Sequence, residues 1–210
     1  MKSRVIYAVV LGALLLTGCG SKQDANEKNF KVAIQNYLDS TYPKCYFFEN
    51  FPAVAADFDL KNEKATLAAL LKTGLVSVKD EPHEEKTLFG DKKTSIKPTF
   101  YLTEEGKKFY KADIEKTLGG QSIGGFCVGK AKVQDVPQFT EPSDMFGQKI
   151  SRVNYTYVVS DLPSWTKSPE ILSAIPSLKP DVESENTPIK GLDAVILTNN
   201  GWVHERLFRK

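Results

Sequence analysis

Residues 149–160, KISRVNYTYVVS, carry the strongest strand pattern of the 210-residue chain. Alternation of apolar or aromatic side chains with polar ones over this length predicts a half-buried β-strand. One face would carry Val153, Tyr155, Tyr157 and Val159, and the other would carry Arg152, Asn154, Thr156 and Val158. We therefore expect this strand to lie in an antiparallel sheet.

The sequence around this strand predicts an antiparallel β-rich half over residues 126–210 that contains one short helix. In chain order the predicted elements are a strand at 133–139, a turn at 141–147, a helix that begins near Pro169, a polar loop at 178–190, and strands at 191–198 and 202–208. Asn199-Asn200-Gly201 predicts a hairpin between the last two strands, because Asn and Gly tolerate positive φ.

Residues 29–118 are predicted to form a helix-rich half, so the fold class is α+β. The first elements that we expect are a helix at 30–38 capped by Asn26 or Asn29 and a strand or buried turn at 45–48. A helix at 62–73 that stops at Gly74 follows, and then a strand at 75–78, a charged hairpin tip at 81–93 and a return strand at 96–102. The last is a third helix, which is capped by Thr103 and runs through Lys111. Residues 119–125, GGQSIGG, would form a flexible hinge between the two halves.

The amino terminus has the composition of an export signal. Lys2 and Arg4 precede an uncharged run at 5–16, which is too short to span a bilayer but fits the apolar region of a signal peptide. Residues 1–18 are therefore predicted to be a signal peptide. Residues 20–28 are small and polar, which predicts a flexible tether.

Leu16-Thr17-Gly18-Cys19 resembles the lipobox of bacterial lipoproteins. The resemblance implies that Cys19 carries a thioether-linked diacylglycerol and, after cleavage, an acylated amine such as a palmitoyl amide. It also implies the outer membrane, on the side facing the periplasm, since Gly20 is not the aspartate associated with retention at the inner membrane. The segments FCVGK, EPSDMFG, VNYTYVVSDLPSW and LTNNGW are similar to those of uncharacterised proteobacterial lipoproteins, and this likeness implies no activity.

The segment from Leu67 to Val76, the charged hairpin and residues 101–106 (YLTEEG) resemble the second half of a winged-helix domain. A basic excess of lysines over residues 86–132 would suit nucleic acid. The corresponding recognition helix, NEKATLAA at 62–69, has few side chains that read base edges, and an exported protein does not meet the chromosome. We therefore expect no nucleic-acid partner, and a nucleic-acid binder remains the alternative if the signal is misread.

Cys45 and Cys127 remain once Cys19 is set aside. An even pair in an exported chain predicts a disulfide, and two buried thiols are the alternative. Lys2 and Arg4 account for the formal charge of +2, so the mature chain is neutral and its charge favours neither nucleic acid nor anionic lipid.

The sequence carries no recognisable catalytic or metal motif. The two histidines, His83 and His204, are far apart in sequence, no HExxH or CxxC occurs, and no GxSxG or P-loop is present, so we expect no metal and no cofactor. A glycan-active hydrolase would need two converging carboxylates. The candidate acids, which lie near strand ends, are Asp135, Glu141, Asp144 and Asp161.

The remaining signal is aromatic. Trp165 and Trp202 lie in the β-rich half, and His204 lies in register with Trp202, so these three residues form the predicted contact surface. The basic hairpin is the other candidate surface. The sequence thus predicts a non-enzymatic, membrane-anchored lipoprotein of the cell envelope that binds or assembles with an envelope protein. The alternatives are the glycan hydrolase and a lipoprotein that binds a small ligand behind the tyrosine face.

Overall fold

The computed structural model describes residues 21–55, 62–86, 92–145 and 147–208. The described chain is an α+β protein with 30% helix, 47% strand and antiparallel sheets. The predicted signal peptide and the predicted lipidation site, Cys19, lie outside the described residues. Among the residues that the structure describes, no helix is long and apolar enough to cross a membrane.

The elements follow one another in the order α1, β1, β2, α2, β3, β4, α3, then β5 to β9, then α4, α5, β10, β11 and α6. The helices are α1 (Glu27–Thr41), α2 (Glu63–Lys72), α3 (Glu104–Phe109), α4 (Pro169–Ala174), α5 (Lys179–Glu183) and α6 (Glu205–Phe208). The strands are β1 (Lys44–Phe48), β2 (Ala53–Val54), β3 (Val76–Lys86), β4 (Lys92–Leu102), β5 (Tyr110–Lys116), β6 (Ser122–Val128), β7 (Lys130–Phe139), β8 (Ser143–Met145), β9 (Gln148–Ser160), β10 (Ile189–Thr198) and β11 (Gly201–His204).

A five-stranded antiparallel sheet is organised around β9. The strand order is β11-β10-β9-β7, and β8 pairs with the start of β9. The predicted alternation along β9 is confirmed, because Val153, Tyr155 and Val159 are buried. Helix α1 covers this face with its own apolar stripe, which includes the fully buried Phe30 and Ile34.

A second apolar cluster lies around two three-stranded sheets, ordered β1-β6-β5 and β2-β4-β3. Leu70 of α2 and Phe126 of β6 are fully buried in it, together with Ile171 of α4. The carboxyl-terminal half of the sequence therefore contributes α4 and its flanking residues Trp165, Ile175 and Leu178 to a core whose other buried members precede Gly129.

The prediction of a helix-rich amino-terminal half is wrong, since strands dominate. The hairpin strands β3 and β4 are 11 residues each, so they include most of the predicted charged tip. Thr103 caps α3 as predicted and accepts a hydrogen bond from the backbone N–H of Gly106. The helix ends at Phe109 instead of running through Lys111, because the chain continues as β5 and pairs with β6.

The predicted hinge at 119–125 belongs to the β5–β6 hairpin. Gly124 and Gly125 are buried within β6, and within residues 119–125 only Gly120 adopts positive φ. A Cβ at Gly124 would lie 2.0 Å from the hydroxyl of Tyr110, so this glycine permits close packing of the ring.

Three further segments differ from the sequence interpretation. The predicted polar loop at 178–190 contains α5, and its Asp181 and Ser184 are buried. The predicted tether at 20–28 is part of the folded chain from Ser21 onward: Asn26 caps α1, and Asn29 Nδ2 donates to the carbonyls of Ser21 and Asp24. The last predicted strand ends at His204 and is followed by α6.

Candidate functional site

The predicted disulfide is formed in the structure. Cys45 of β1 and Cys127 of β6 are directly opposite in register, and their Sγ atoms lie 2.08 Å apart. The bond joins residues 82 positions apart and fastens the edge strand β1 to the centre of its sheet.

The predicted contact surface is wrong, because all three of its residues are buried. Trp165 is 7% exposed, Trp202 is 6% exposed and His204 is fully buried. Trp202 packs edge-on against Phe30 in the α1 cluster, with ring centroids 4.9 Å apart. Trp165 packs against Phe126 in the other cluster. The two tryptophans therefore supply apolar area to two different cores.

His204 instead belongs to a buried polar arrangement. Its Nδ1 accepts a hydrogen bond from the backbone N–H of Arg206 at 3.1 Å, so the neutral ring carries its proton on Nε2. This Nε2 lies 3.4 Å from Oδ2 of Asp193. The ring of Tyr37 stacks on the imidazole with centroids 3.7 Å apart, and the Arg206 guanidinium lies 5.7 Å from the centre of the Tyr37 ring and donates to its hydroxyl.

Asp193 also accepts a hydrogen bond of 2.6 Å from the hydroxyl of Tyr155. Burial raises the pKa of Tyr155, and the hydrogen bond to Asp193 raises it further, so the phenol stays protonated. Burial lowers the pKa of His204, and Asp193 only partly opposes this effect. His204 is therefore held in its neutral form.

A second carboxylate, the buried Asp181 of α5, accepts two phenol hydrogen bonds on the same oxygen. Tyr42 donates at 3.0 Å and Tyr46 donates at 2.5 Å. The half-exposed ammonium of Lys44 lies 3.9 Å from the other carboxylate oxygen. Burial and the neighbouring Asp181 raise the pKa of both tyrosines.

Tyr157 lies between the two carboxylate groups. Its ring centroid is 6.0 Å from that of Tyr155 and 6.4 Å from that of Tyr42. We call this set of residues the tyrosine row; it consists of Tyr37, Tyr42, Tyr46, Tyr155, Tyr157, Asp181, Asp193 and His204. Three of its phenols, those of Tyr42, Tyr46 and Tyr155, have raised pKa values and donate to carboxylates of the protein itself. Tyr42 packs on the α1 cluster and Tyr46 lies in the other, so the row links the two cores.

Sequence reasoning missed Asp181 and Asp193. Asp181 lay in a stretch interpreted as a polar loop, and nothing local marks it as buried. The sequence carried an indirect signal for Asp193 in the nearby Gly191. A glycine inside a strand indicates that another group approaches the backbone at that point. A Cβ at Gly191 would lie 2.2 Å from Cζ of Tyr155, so the ring lies over this glycine.

The four acids considered for glycan hydrolysis, Asp135, Glu141, Asp144 and Asp161, are all exposed. Asp135 lies in β7 and accepts a hydrogen bond from the N–H of Val136, the next residue. Asp181 and Asp193 were not among these four acids, but their carboxylates are the ones that polar side chains surround. Within the described ranges, no three or more His, Cys, Asp or Glu side chains are grouped so that they could hold a metal ion.

The basic excess of the hairpin is partly balanced by acids of the same hairpin. Lys92 forms an ion pair with Glu84 at 2.9 Å, and Glu81 lies opposite Lys97 in register. The ammonium of Lys79 lies 5.5 Å from the centre of the Tyr101 ring. The surface of the hairpin is thus mixed in charge and not uniformly basic.

The face of the five-stranded sheet opposite to the one that α1 covers carries an apolar depression of about 580 Å³, which we call the outer groove. It is lined by Met145, Gln148, Ile150, Ala194, Ile196, Glu205, Arg206 and Phe208. Leu192 continues the same face of β10 beyond Ala194. Met145 and Leu192 are each 50% exposed and Phe208 is 40% exposed, so large apolar side chains face solvent here.

The outer groove has charged residues at its rim. Glu205 and Arg206 line it and are exposed, and exposed Arg152 lies opposite Ala194 on the same sheet face. Arg206 also reaches the hydroxyl of Tyr37, so one residue contacts both the outer groove and the tyrosine row.

Comparison of the chain with models of protein families, with curated proteins and with solved structures finds no match.

Proposed function

We propose that this chain is a non-enzymatic lipoprotein of the cell envelope, anchored through Cys19, that acts as a binding or assembly module for an envelope protein. The observation that carries the binding role is the outer groove, where Met145 and Phe208 expose large apolar side chains, with Leu192 exposed farther along β10 on the same sheet face. Scattered apolar residues are ordinary on a protein surface, but a contiguous group of them is typical of an interaction site.

The Cys45–Cys127 pair supports the proposed compartment. Disulfides persist in oxidising environments such as the periplasm and are rare in the cytosol. The pairing of two cysteines opposite each other on neighbouring strands agrees with export directed by the amino-terminal signal. It is also consistent with the lipobox-like ending at Cys19.

The rim of the outer groove indicates the chemistry of the partner. Two arginines, Arg152 and Arg206, stand against one acid, Glu205. A protein segment that inserts apolar side chains between carboxylates would therefore match both the apolar floor and the net positive rim. We accordingly propose an acidic, apolar segment of an envelope protein as the occupant.

The anchor is tested by growing cells with an alkyne-bearing fatty acid and measuring the mass of the amino-terminal peptide. We expect a peptide that begins at Cys19 and carries acyl chains, and we expect the Cys19→Ala variant to lose the label. A purified wild-type chain that still begins at Met1 and carries no fatty acid would overturn the anchor.

The binding role is tested with a photo-crosslinking amino acid placed at Leu192 in intact cells. We expect a covalent product with an envelope protein, and we expect Leu192→Glu to lower the yield of crosslinks from the same amino acid placed at Met145. Leu118, which is fully exposed in the β5–β6 turn, is the matched control position. Recovery of a bound small molecule with no protein crosslink would favour a ligand-binding lipoprotein instead.

A further inference from the structure

We infer that one end of the five-stranded sheet rests directly on the phospholipid headgroups of the membrane. We call this end the anchor end; it consists of Ser21, Lys22, Gln23, Asn199 and Asn200, which line one shallow polar depression. The inference deepens the proposed function, because it rests on acylation at Cys19 and adds the orientation in which the anchored protein is held.

The chain is fixed to the fold from Ser21 onward. The indole Nε1 of Trp202 donates to the carbonyl oxygens of both Gln23 and Asp24 at 3.1 Å. Gly201 allows the segment to approach the hairpin turn, since a Cβ at this residue would lie 3.0 Å from the carbonyl oxygen of Lys22. The side-chain amide of Asn29 also holds this segment, because it donates to the carbonyl oxygen of Ser21 at 2.8 Å.

The length of the connection to the lipid follows from the sequence. Only Gly20 separates Cys19 from Ser21. Because an extended chain spans at most about 3.6 Å per residue, the Cα atoms of Cys19 and Ser21 lie within roughly 7 Å of each other. The acyl chains must lie in the hydrocarbon core, and the headgroup layer of one leaflet is about 5–8 Å thick. Ser21 is therefore held at the depth of the headgroups or just above them.

The chemistry of the anchor end suits that position. Lys22 carries an ammonium group, and Gln23, Asn199 and Asn200 carry amide donors. All of the residues that line the depression are exposed, and none of them is acidic or apolar. These donors match the phosphate oxygens of a phospholipid, so the headgroup layer is the surface that we assign to this end of the sheet.

The orientation also bounds the position of the outer groove. Leu192 lies six residues before Thr198 on β10, which is a path of about 20 Å at the rise of an antiparallel strand. The groove is therefore held within about 20 Å of the headgroups. A partner that occupies the groove must present its acidic, apolar segment close to the membrane surface.

The test uses the full acylated chain in phosphatidylethanolamine–phosphatidylglycerol vesicles, with an environment-sensitive fluorescent amino acid at Asn200 and a quencher attached to the lipid headgroup. We expect at least a two-fold loss of fluorescence at Asn200 and little change for the same label at Leu118. An equal loss of fluorescence at the two positions, in a chain that cosediments with the vesicles, would overturn this inference but not the anchor. A chain that stays in solution would overturn the anchor together with the inference.

A spacer variant separates the short connection from chance contact. Ten Gly and Ser residues inserted after Gly20 leave the lipid and the fold in place but add a mean reach of about 17 Å. We expect quenching at Asn200 to fall toward the level of the Leu118 control. Unchanged quenching in the spacer variant would contradict the role assigned to the short connection.

Discussion

The hydroxyl of Tyr155 on β9 reaches diagonally across β10 to the carboxylate of Asp193, 2.6 Å away. The residue directly opposite Tyr155 is Gly191, and the ring lies over it at a distance that no Cβ could allow. Gly191 therefore allows the Tyr155 ring to lie across β10 and to donate its hydrogen bond to Asp193. The same carboxylate lies beside His204.

Replacing this glycine should disrupt the tyrosine row from within. We expect Gly191→Ala to lower the free energy of unfolding by about 1–3 kcal/mol, since the new methyl group overlaps the Tyr155 ring and displaces its hydroxyl from Asp193. Urea unfolding followed by circular dichroism measures the change. Gly119→Ala is the matched control, because a Cβ there meets only Thr117 Oγ1 at 3.8 Å. Similar losses of unfolding free energy in the two variants would show that overlap with the Tyr155 ring is not the cause.

Much of the local structure could be predicted because its causes lie within a few residues. The alternation along 149–160 identified β9, the i, i+3, i+4 spacing of apolar residues identified α1, and Thr103 with its following acids identified the start of α3. The cysteine pair was also predicted, because cysteine number and export limit the possibilities.

The tyrosine row could not be predicted in this way, because its partners are distant in sequence. Asp181 lies 139 residues from Tyr42 and 135 from Tyr46, and no local pattern shows that three such groups meet. Trp202 and Trp165 were assigned to a surface because aromatic residues serve cores and interfaces alike. Only the packing of α1 and of the second core shows that both are buried.

The buried histidine should make stability depend on pH. Burial lowers the pKa of His204 below its unfolded value near 6.5, so the unfolded chain binds a proton that the folded chain does not. Stability is therefore complete above about pH 6.5 and falls as the pH drops toward the folded pKa, by at most about 1.4 kcal/mol per pH unit. Urea unfolding between pH 7.5 and pH 5.5 measures the slope.

The assignment of that slope to His204 needs two variants. We expect His204→Gln to flatten the dependence between pH 7.5 and pH 5.5, whatever its absolute stability. His83→Gln is the comparison variant, because it replaces the other histidine of the chain, which lies in the hairpin and not in the tyrosine row. A slope that survives in His204→Gln would assign the titration to another group.

The Asp181 group should respond to loss of a single hydroxyl. Tyr46→Phe removes a buried hydrogen bond to a carboxylate, so we expect the free energy of unfolding to fall by about 1.5–3 kcal/mol. Tyr101→Phe is the control, because it removes a tyrosine hydroxyl that donates to Glu81 near the surface of the hairpin. We expect a clearly smaller loss there, and equal losses would indicate that the Asp181 group adds nothing beyond a surface bond.

The disulfide should contribute to stability through the unfolded chain. Closing a loop of 82 residues removes conformational entropy from the unfolded state, so the Cys45→Ser/Cys127→Ser double variant should lose up to about 4–5 kcal/mol. Reduction of the wild-type protein should produce the same midpoint of unfolding as the double variant. A double variant as stable as the oxidised wild type would show that the bond does not constrain the unfolded chain.

The indole N–H of Trp202 should control the order of the segment that leads to the anchor. Trp202→Phe keeps an aromatic ring against Phe30 but removes the donor to the carbonyls of Gln23 and Asp24. We expect amide hydrogen exchange over residues 21–25 to rise several-fold, while exchange in the middle of β9 changes much less, because the two parts open separately. Exchange measured by mass spectrometry distinguishes these segments. If residues 21–25 stay as protected as in the wild type, the indole does not hold this segment, and the attachment of residues 21–24 to the sheet would need another cause.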